Sequence, residues 1–217
     1  MKTIILDFDG TLADTRRCIV ATMAATLSTL GLPPASEADV GRVIGLPLID
    51  NFRLGAHIAD EATLEACVET YRRLFDDICR DTVTLFDGVE PTLRRLRDRG
   101  LSLCVASSRG RESLLMLLGM LGIGGLMDHV AGDEDVARKK PAPDMVIGLL
   151  QRCGTAPEEA LVVGDTTFDV AMGQAAGCPT CGVTYGNHSR AQLAGQHADY
   201  LIDSFAELLT VGDCGRH

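Results

Sequence analysis

The chain has 217 residues, a formal net charge of -10 and a sequence pI of about 4.9. This acidic charge argues against a polyanionic partner, because nucleic-acid binding relies on clustered lysines and arginines. No apolar run reaches the roughly 18 residues of a bilayer-spanning helix, so we expect a cytoplasmic protein with neither a nucleic-acid nor a membrane partner. Its eight cysteines, among them Cys67, Cys79, Cys104 and the pair Cys178 and Cys181, are interpreted as small buried hydrophobes.

The chain begins with one predicted strand, which is followed by a long interval without any predicted strand. The continuous apolar run Thr3–Phe8 predicts a strand, whereas no strand is predicted from about Thr15 to about Thr84. Helical stretches in that interval are Arg16–Leu30, Ala38–Ile44, Leu48–Leu54 and Glu61–Arg80. A small α-helical domain over residues 15–84 is therefore expected, inserted into a core formed by residues 1–14 and 85–217.

The remainder alternates between helical patterns and short apolar runs. The helical patterns are Gly88–Arg99, Arg111–Leu121 and Pro143–Cys153, and the apolar runs are Leu101–Ala106, Ala160–Val163 and Pro179–Thr184. Continuous rather than alternating apolar strands are typical of a sheet that helices cover on both faces. This order predicts an α/β fold with a doubly wound, mostly parallel, Rossmann-like sheet.

Polar residues follow these strands at the edge where such a sheet binds ligands. Asp7 and Asp9 point the same way in an extended segment, and Asp165 adds a third carboxylate from another strand end. Clustered carboxylates need a cation, and oxygen ligands with room for water suit Mg²⁺. Lys140 adds positive charge, and Ser107 adds a hydroxyl for phosphate oxygens. Each motif alone is typical of a turn or a helix cap, but together they indicate phosphoryl transfer.

At these residues the sequence resembles the haloacid dehalogenase superfamily of phosphatases. The matching motifs are Asp7-Phe8-Asp9-Gly10-Thr11-Leu12, Ser107, Lys140, and Gly164-Asp165 with Asp169. The helical insert resembles the cap of the phosphoglycolate phosphatase-like subgroup.

The resemblance implies a role for each acid. Asp7 is the expected nucleophile, and Asp9 is the expected general acid and then base. Mg²⁺ would be held by the side chain of Asp7, the backbone carbonyl of Asp9 and the side chain of Asp165. Asp169 would assist the waters of the metal or Lys140.

Substrate contacts are expected on both sides of the site. Ser107, Ser108, Arg109 and Lys140 would bind from the core, where Ser107-Ser108-Arg109 replaces the Thr-Asn common in the subgroup. We hypothesise that Arg109 meets a second anionic group of the substrate, although a solvated arginine at a helix start is the equal alternative. Candidate contacts from the cap are Arg42, Gly45, Leu46, Asn51 and Arg53.

The expected activity is Mg²⁺-dependent hydrolysis of a small phosphate monoester (phosphoglycolate, a sugar phosphate or a nucleotide) or of pyrophosphate, through an aspartyl-phosphate on Asp7. A phosphomutase of the same fold is an alternative, and so is a phospho-accepting receiver module, although the long helical insert opposes the second. A dehalogenase has little use for Asp9. The sequence leaves monomer and homodimer open.

Overall fold

The protein, described by a computed structural model over residues 1–79 and 82–213, is built around parallel strands. Its strands are β1 Thr3–Leu6, β2 Ala13–Asp14, β3 Thr84–Leu85, β4 Ser102–Ala106, β5 His129–Ala131, β6 Ala160–Gly164, β7 Thr180–Val183 and β8 Tyr200–Ile202. Six of them form one sheet in the order β5-β4-β1-β6-β7-β8, and every neighbouring pair in it is parallel. The predicted fold class is confirmed.

Strand β1 occupies the middle of this sheet. Leu6 at its carboxyl end pairs with Val105 of β4 on one side and with Val163 of β6 on the other. The segments that follow these three strands therefore emerge side by side at one edge, and this edge carries the polar motifs.

The helices lie on both faces of the sheet and in the insert. They are α1 Arg16–Thr29, α2 Glu37–Val43, α3 Leu48–Asp50, α4 Glu61–Cys79, α5 Val89–Asp98, α6 Arg111–Met120, α7 Asp144–Cys153, α8 Thr167–Ala175 and α9 Arg190–Gly195. Ile4 of β1 belongs to the apolar cluster that contains residues of α5 and α6, while Ile5 belongs to the cluster that contains residues of α7 and α8. Burial on both faces explains why the strands are continuously apolar.

The helical insert is present as α1 to α4, and α3 continues into a π-helical turn, Asn51–Gly55. Its two crossings to the rest of the chain lie together, because β2 and β3 form an antiparallel ribbon that pairs Ala13 with Leu85. The sequence did not predict this ribbon. The division into two domains, at residues 14/15 and 84/85, stays a prediction, and Arg80 at the end of the predicted fourth helix lies outside the described residues.

Two strands of the main sheet were also missed. β5 and β8 have three residues each, and they begin with the half-buried His129 and the exposed Tyr200, which interrupt their apolar character. So short a run gives no periodic signal. Among the described residues, no helix combines the length and apolarity needed to cross a bilayer.

The interpretation of all eight cysteines as hydrophobes is wrong for two of them. Cys18 of α1 and Cys79 of α4 form a disulfide, with their Cα atoms 5.4 Å apart. They lie 61 positions apart in sequence, so only the pairing of α1 with α4 brings them together. Cys178 and Cys181 are both buried but belong to clusters on opposite faces of the sheet, so they do not share a site.

Candidate active site

The turn after β1 places Asp7 at the carboxyl edge of the sheet. The amide of Asp7 donates to the carbonyl of Val163, which continues the β1–β6 pairing, and the carbonyl of Phe8 accepts from the amide of Leu12 to close the turn. Gly10 has φ +94°, and a Cβ atom there would lie 2.2 Å from Oδ2 of Asp165. Only glycine lets this turn close against that carboxylate.

Three buried carboxylates converge at this edge. One oxygen from each of Asp7, Asp165 and Asp169 lies within 4.8 Å of the others. The buried Nζ of Lys140 donates to Oδ1 of Asp7 at 2.7 Å and to Oδ1 of Asp169 at 2.6 Å. Lys140 therefore bridges two of the three acids from within the protein.

The single positive charge of Lys140 does not balance the negative charges of the three buried carboxylates. Burial raises the pKa of Asp7, and although Lys140 opposes this, Asp169 and Asp165 add to it. Burial, together with the charge of Asp169, raises the pKa of Asp165 to about 7. Burial would lower the pKa of Lys140, but Asp169 and Asp7 outweigh it and raise that pKa. A buried site with excess negative charge and several oxygen ligands is suited to bind a hard divalent cation.

Asp165 is oriented by a residue that the sequence did not indicate. Oδ2 of Asp165 accepts from the backbone amide of Asn187 at 2.6 Å and from its Nδ2 at 2.8 Å. The hydroxyl of Thr11 approaches Oδ1 of Asp165 at 3.3 Å and Oδ2 of Asp7 at 3.4 Å. Asn187 follows β7 at the same sheet edge, and its position after a strand end is the one feature of the sequence that could have marked it as a site residue.

Asp169 is fixed by the start of α8. Its Oδ2 accepts from the backbone amide of Thr166 at 3.1 Å and from the hydroxyl of Thr166 at 2.6 Å, while its Oδ1 accepts from Lys140. Both carboxylate oxygens are thus occupied. The geometry suits Asp169 to hold Lys140 in place.

The side chain of Asp9 turns away from the acid cluster. Its Oδ1 accepts from Nη2 of Arg109 at 2.6 Å, and its Oδ2 accepts from Nε of Arg109 at 3.1 Å. Nη1 of Arg109 donates to Ser113, and its guanidinium carbon lies 4.3 Å from the ring centroid of Phe75 in α4. Burial lowers the pKa of Arg109, but Asp9 outweighs it and raises that pKa, so the guanidinium remains charged.

A cavity of about 450 Å³ lies between this edge and the insert. From the sequence-predicted set it is lined by Asp7, Asp9, Gly45, Leu46, Asn51, Ser107, Ser108 and Arg109. The hydroxyl of Ser108 donates to the carbonyl of Gly45 at 2.7 Å, which joins the core to the insert beside the cavity.

Two predicted cap contacts lie elsewhere. Arg42 is exposed and pairs with Asp39, and Arg53 pairs with Asp50 and Glu61, so neither lines the cavity. The structure therefore does not support the prediction that Arg42 binds substrate.

Helix α4 supplies cavity residues that sequence reasoning missed, namely Tyr71, Arg72 and Phe75. Tyr71 and Phe75 stack with their ring centroids 5.8 Å apart. Their spacing of four residues puts both rings on one face of the helix, which the sequence pattern does contain. Which way that face points depends on how the insert packs.

A strand end that carries a buried carboxylate beneath a covered cavity is where an open α/β sheet binds its ligand. The family model described as haloacid dehalogenase-like hydrolase matches residues 4–183. The chain is 32% identical over 214 residues to pyrophosphatase PpaX of Oceanobacillus iheyensis, covering 98% of each chain.

Solved structures agree with this match. The fold is similar to that of a Bacteroides fragilis protein described as a haloacid dehalogenase-like hydrolase, with a TM-score of 0.90, 30% identity and coverage of 96% of this chain and 100% of the other. It is also similar to a predicted phosphoglycolate phosphatase from Haemophilus somnus, with a TM-score of 0.86, 25% identity and 97% coverage of each. The chain belongs to the haloacid dehalogenase-like hydrolase family, and the predicted enzyme class, a phosphatase, is confirmed.

Proposed function

We propose that the protein hydrolyses a small phosphate monoester or pyrophosphate with the help of Mg²⁺, through a phosphoryl group carried on Asp7. The observation that supports this most is the position of Asp7. It is a buried carboxylate that lines the cavity, and it accepts a hydrogen bond from Lys140, which does not line the cavity. The names of relatives, pyrophosphatase and phosphoglycolate phosphatase, agree with such substrates.

The roles of the two aspartates follow from a balanced pair of steps. An oxygen of Asp7 attacks phosphorus, the bond from phosphorus to the leaving oxygen breaks, and that oxygen takes a proton from Asp9. Water then attacks phosphorus and gives a proton to Asp9, and inorganic phosphate leaves as the Asp7 carboxylate is restored.

Asp9 must change partners during this cycle. Both of its oxygens accept hydrogen bonds from Arg109, so neither is free to meet a substrate oxygen in this arrangement. To protonate a leaving group, Asp9 has to give up at least one of these bonds when substrate enters.

The phosphate end of the cavity is completed by the core loops. Ser107 is buried, its amide donates to the carbonyl of Ala131, and its hydroxyl oxygen accepts from the amide of Arg109. The hydroxyl hydrogen of Ser107 then remains for a phosphate oxygen. Lys140 does not line the cavity, so we infer that it acts on phosphate through Asp7.

A divalent cation fits the residues present. Asp7 and Asp165 would hold Mg²⁺ with their carboxylates, together with the backbone carbonyl of Asp9 that the family resemblance implies. The ion would supply positive charge for the transferring phosphoryl oxygens. Asp169 is less suited to bind it directly, since Lys140 and Thr166 already occupy its oxygens.

The test is phosphate release from a panel of phosphorylated metabolites and pyrophosphate, with Mg²⁺ or with EDTA. Asp7→Asn removes the nucleophilic charge with little change in shape and should lower kcat by about 10³-fold or more. Asp14→Asn, the same substitution at an exposed position of β2, is the matched control and should keep full activity. Full activity in Asp7→Asn, or activity unaffected by EDTA, would refute the proposal. Isomerised product without phosphate release would indicate a mutase instead.

A further inference from the structure

One guanidinium connects the core to the insert beside the cavity. Arg109 follows β4, and its side chain is 8% exposed. Its Nε and Nη2 donate to the two oxygens of Asp9, and its Nη1 donates to the hydroxyl of Ser113 in α6 at 3.3 Å. All three nitrogens of the group thus donate to residues of the core. The flat face of the guanidinium remains for a contact of another kind.

The insert covers this face with an aromatic ring. The guanidinium carbon of Arg109 lies 4.3 Å from the ring centroid of Phe75 in α4. A cation over an aromatic ring is attracted by the negative charge of the ring face, and the attraction is stronger where water is excluded. Phe75 is 3% exposed, so both partners are shielded from water. The contact therefore belongs to the stronger, desolvated class of cation–π interactions.

The ring of Phe75 is held in place by the packing of its own helix. Tyr71, one turn earlier in α4, stacks on it, and Cys79, one turn later, is joined to Cys18 of α1 by the disulfide. Residues four apart lie on the same face of a helix, so Tyr71, Phe75 and Cys79 form one row along α4. The position of the ring over Arg109 is thus set within the insert.

The contact matters for the exchange of partners at Asp9. Asp9 has to release at least one of its two bonds from Arg109 before it can meet a substrate oxygen. Arg109 is then held by Ser113, by Phe75 and by the bond that remains. The contact with the ring uses no N–H group of Arg109, so it persists while the hydrogen bonds of Asp9 are exchanged.

We propose, building on the phosphatase function above, that Phe75 is a positioning residue of the reaction, because its ring face holds Arg109 beside Asp9. The insert, as well as the core, thereby orients the acid and base. Asp9 acts once substrate is bound, so loss of the ring should lower turnover more than it weakens substrate binding.

The first experiment replaces the ring and follows phosphate release with saturating Mg²⁺, from phenyl phosphate and from the best substrate of the metabolite panel. Phe75→Leu keeps an apolar side chain but removes the ring face, so kcat should fall about tenfold while KM stays within about threefold. Phe75→Tyr restores a ring face and should bring kcat to within about twofold of the native value. Phe205→Leu, the same change at a buried ring that does not line the cavity, is the control and should leave kcat within about twofold.

The second experiment distinguishes attraction of the charge from simple packing. Phenylalanines that carry one, two or three ring fluorines are incorporated in place of Phe75. Fluorine withdraws negative charge from the ring face at nearly constant shape, so kcat should fall stepwise along the series. The same residues in place of Phe205 should cause no such trend. A flat series at position 75 would mean that the ring acts by packing alone, and the proposal would be wrong.

The third experiment identifies the group on which the ring acts. Phe75 also lines the cavity, so its action through Arg109 has to be separated from direct contact with substrate. In the Arg109→Gln background, Phe75→Leu should lower kcat by no more than about twofold further, because the cation is already gone. A tenfold fall in both backgrounds would assign the ring to the substrate and overturn the proposal.

The outcomes also separate this inference from the phosphatase function. Phosphate release that needs Asp7 but is unaffected by Phe75→Leu overturns the role of Phe75 and leaves the phosphatase function standing. If the native protein releases no phosphate from phenyl phosphate or from any compound of the panel, the phosphatase function is wrong, and this inference is wrong with it.

Discussion

The carboxyl edge of the sheet and the insert-facing wall of the cavity enclose the same space but are built differently. At the sheet edge, charged groups are buried and hydrogen-bonded to other buried groups, as Asp169 is to Thr166 and Lys140. The charged side chains of the insert are mostly exposed, and some of them pair with near neighbours, as Arg53 does with Asp50. We infer from this contrast that the core would carry the proposed chemistry and that the insert would act on substrate selectivity.

Lys140→Met should produce the largest effect, because it leaves two buried carboxylates without their cation. We expect about 3–5 kcal/mol less free energy of unfolding, and a fall in kcat of about 10³-fold or more. Urea unfolding in EDTA and phosphate release measure the two quantities. The control is Lys2→Met, which removes an exposed pair with Glu159 and should cost about 0–1 kcal/mol. Equal stability of the two variants would show that the buried bridge is no stronger than a surface pair.

Asp165→Asn should greatly reduce the stabilisation of the protein by Mg²⁺. Mg²⁺ at 100 times its Kd should stabilise the native protein by about 2.7 kcal/mol, and the variant should gain far less, since one anionic ligand is gone. In EDTA the variant should be at least as stable as the native protein, because a buried like-charge contact is relieved. Thermal unfolding with and without Mg²⁺ tests both. Asp203→Asn, at an exposed acid, is the control. An undiminished shift in Tm for Asp165→Asn would place the metal elsewhere.

Arg109 lies at the junction of the two regions, and its replacement tests to which of them it belongs. In Arg109→Lys the bidentate contact with Asp9 is lost, so kcat/KM should fall by about 10- to 100-fold and by a similar factor for phenyl phosphate and phosphoglycolate. Arg94→Lys, in an exposed pair with Glu90, should change neither. A loss confined to phosphoglycolate would instead assign Arg109 to a second anionic group of the substrate.

Ser108→Ala should have the smallest effect, since it removes one hydrogen bond between the core and the insert. We expect the free energy of unfolding to fall by about 0.5–1.5 kcal/mol and KM to rise slightly at unchanged kcat. Ser28→Ala, on the exposed side of α1, provides the baseline. A large fall in kcat would mean that this contact does more than hold the insert.

The sheet edge could be predicted because its geometry follows from topology. Continuous apolar runs predicted the strands, and the carboxyl ends of parallel strands meet, so Asp7, Asp165 and Lys140 could be placed together without coordinates. Asn187 escaped because a carboxamide in a loop has no distinctive spacing. β5 and β8 escaped because three residues are too few to show periodicity.

The cavity wall could be predicted only in part. Gly45, Leu46 and Asn51 were found because they flank a break between helices. Arg42 was not found at the cavity, and the contact between Arg109 and Asp9 was not foreseen, because both depend on how the insert sits over the sheet. Packing between helices that are distant in sequence cannot be predicted from local sequence patterns. The disulfide between Cys18 and Cys79 is an example, because the two residues lie 61 positions apart.

The ribbon of β2 and β3 has a consequence for how such proteins change. Because Ala13 pairs with Leu85 and Asp14 pairs with Thr84, the chain departs from the sheet and returns to it at adjacent points. Lengthening or replacing what lies between them need not disturb the strands, since the ends remain joined whatever they enclose. An insert of another length or sequence could therefore occupy this position, while the acids at the sheet edge keep their places.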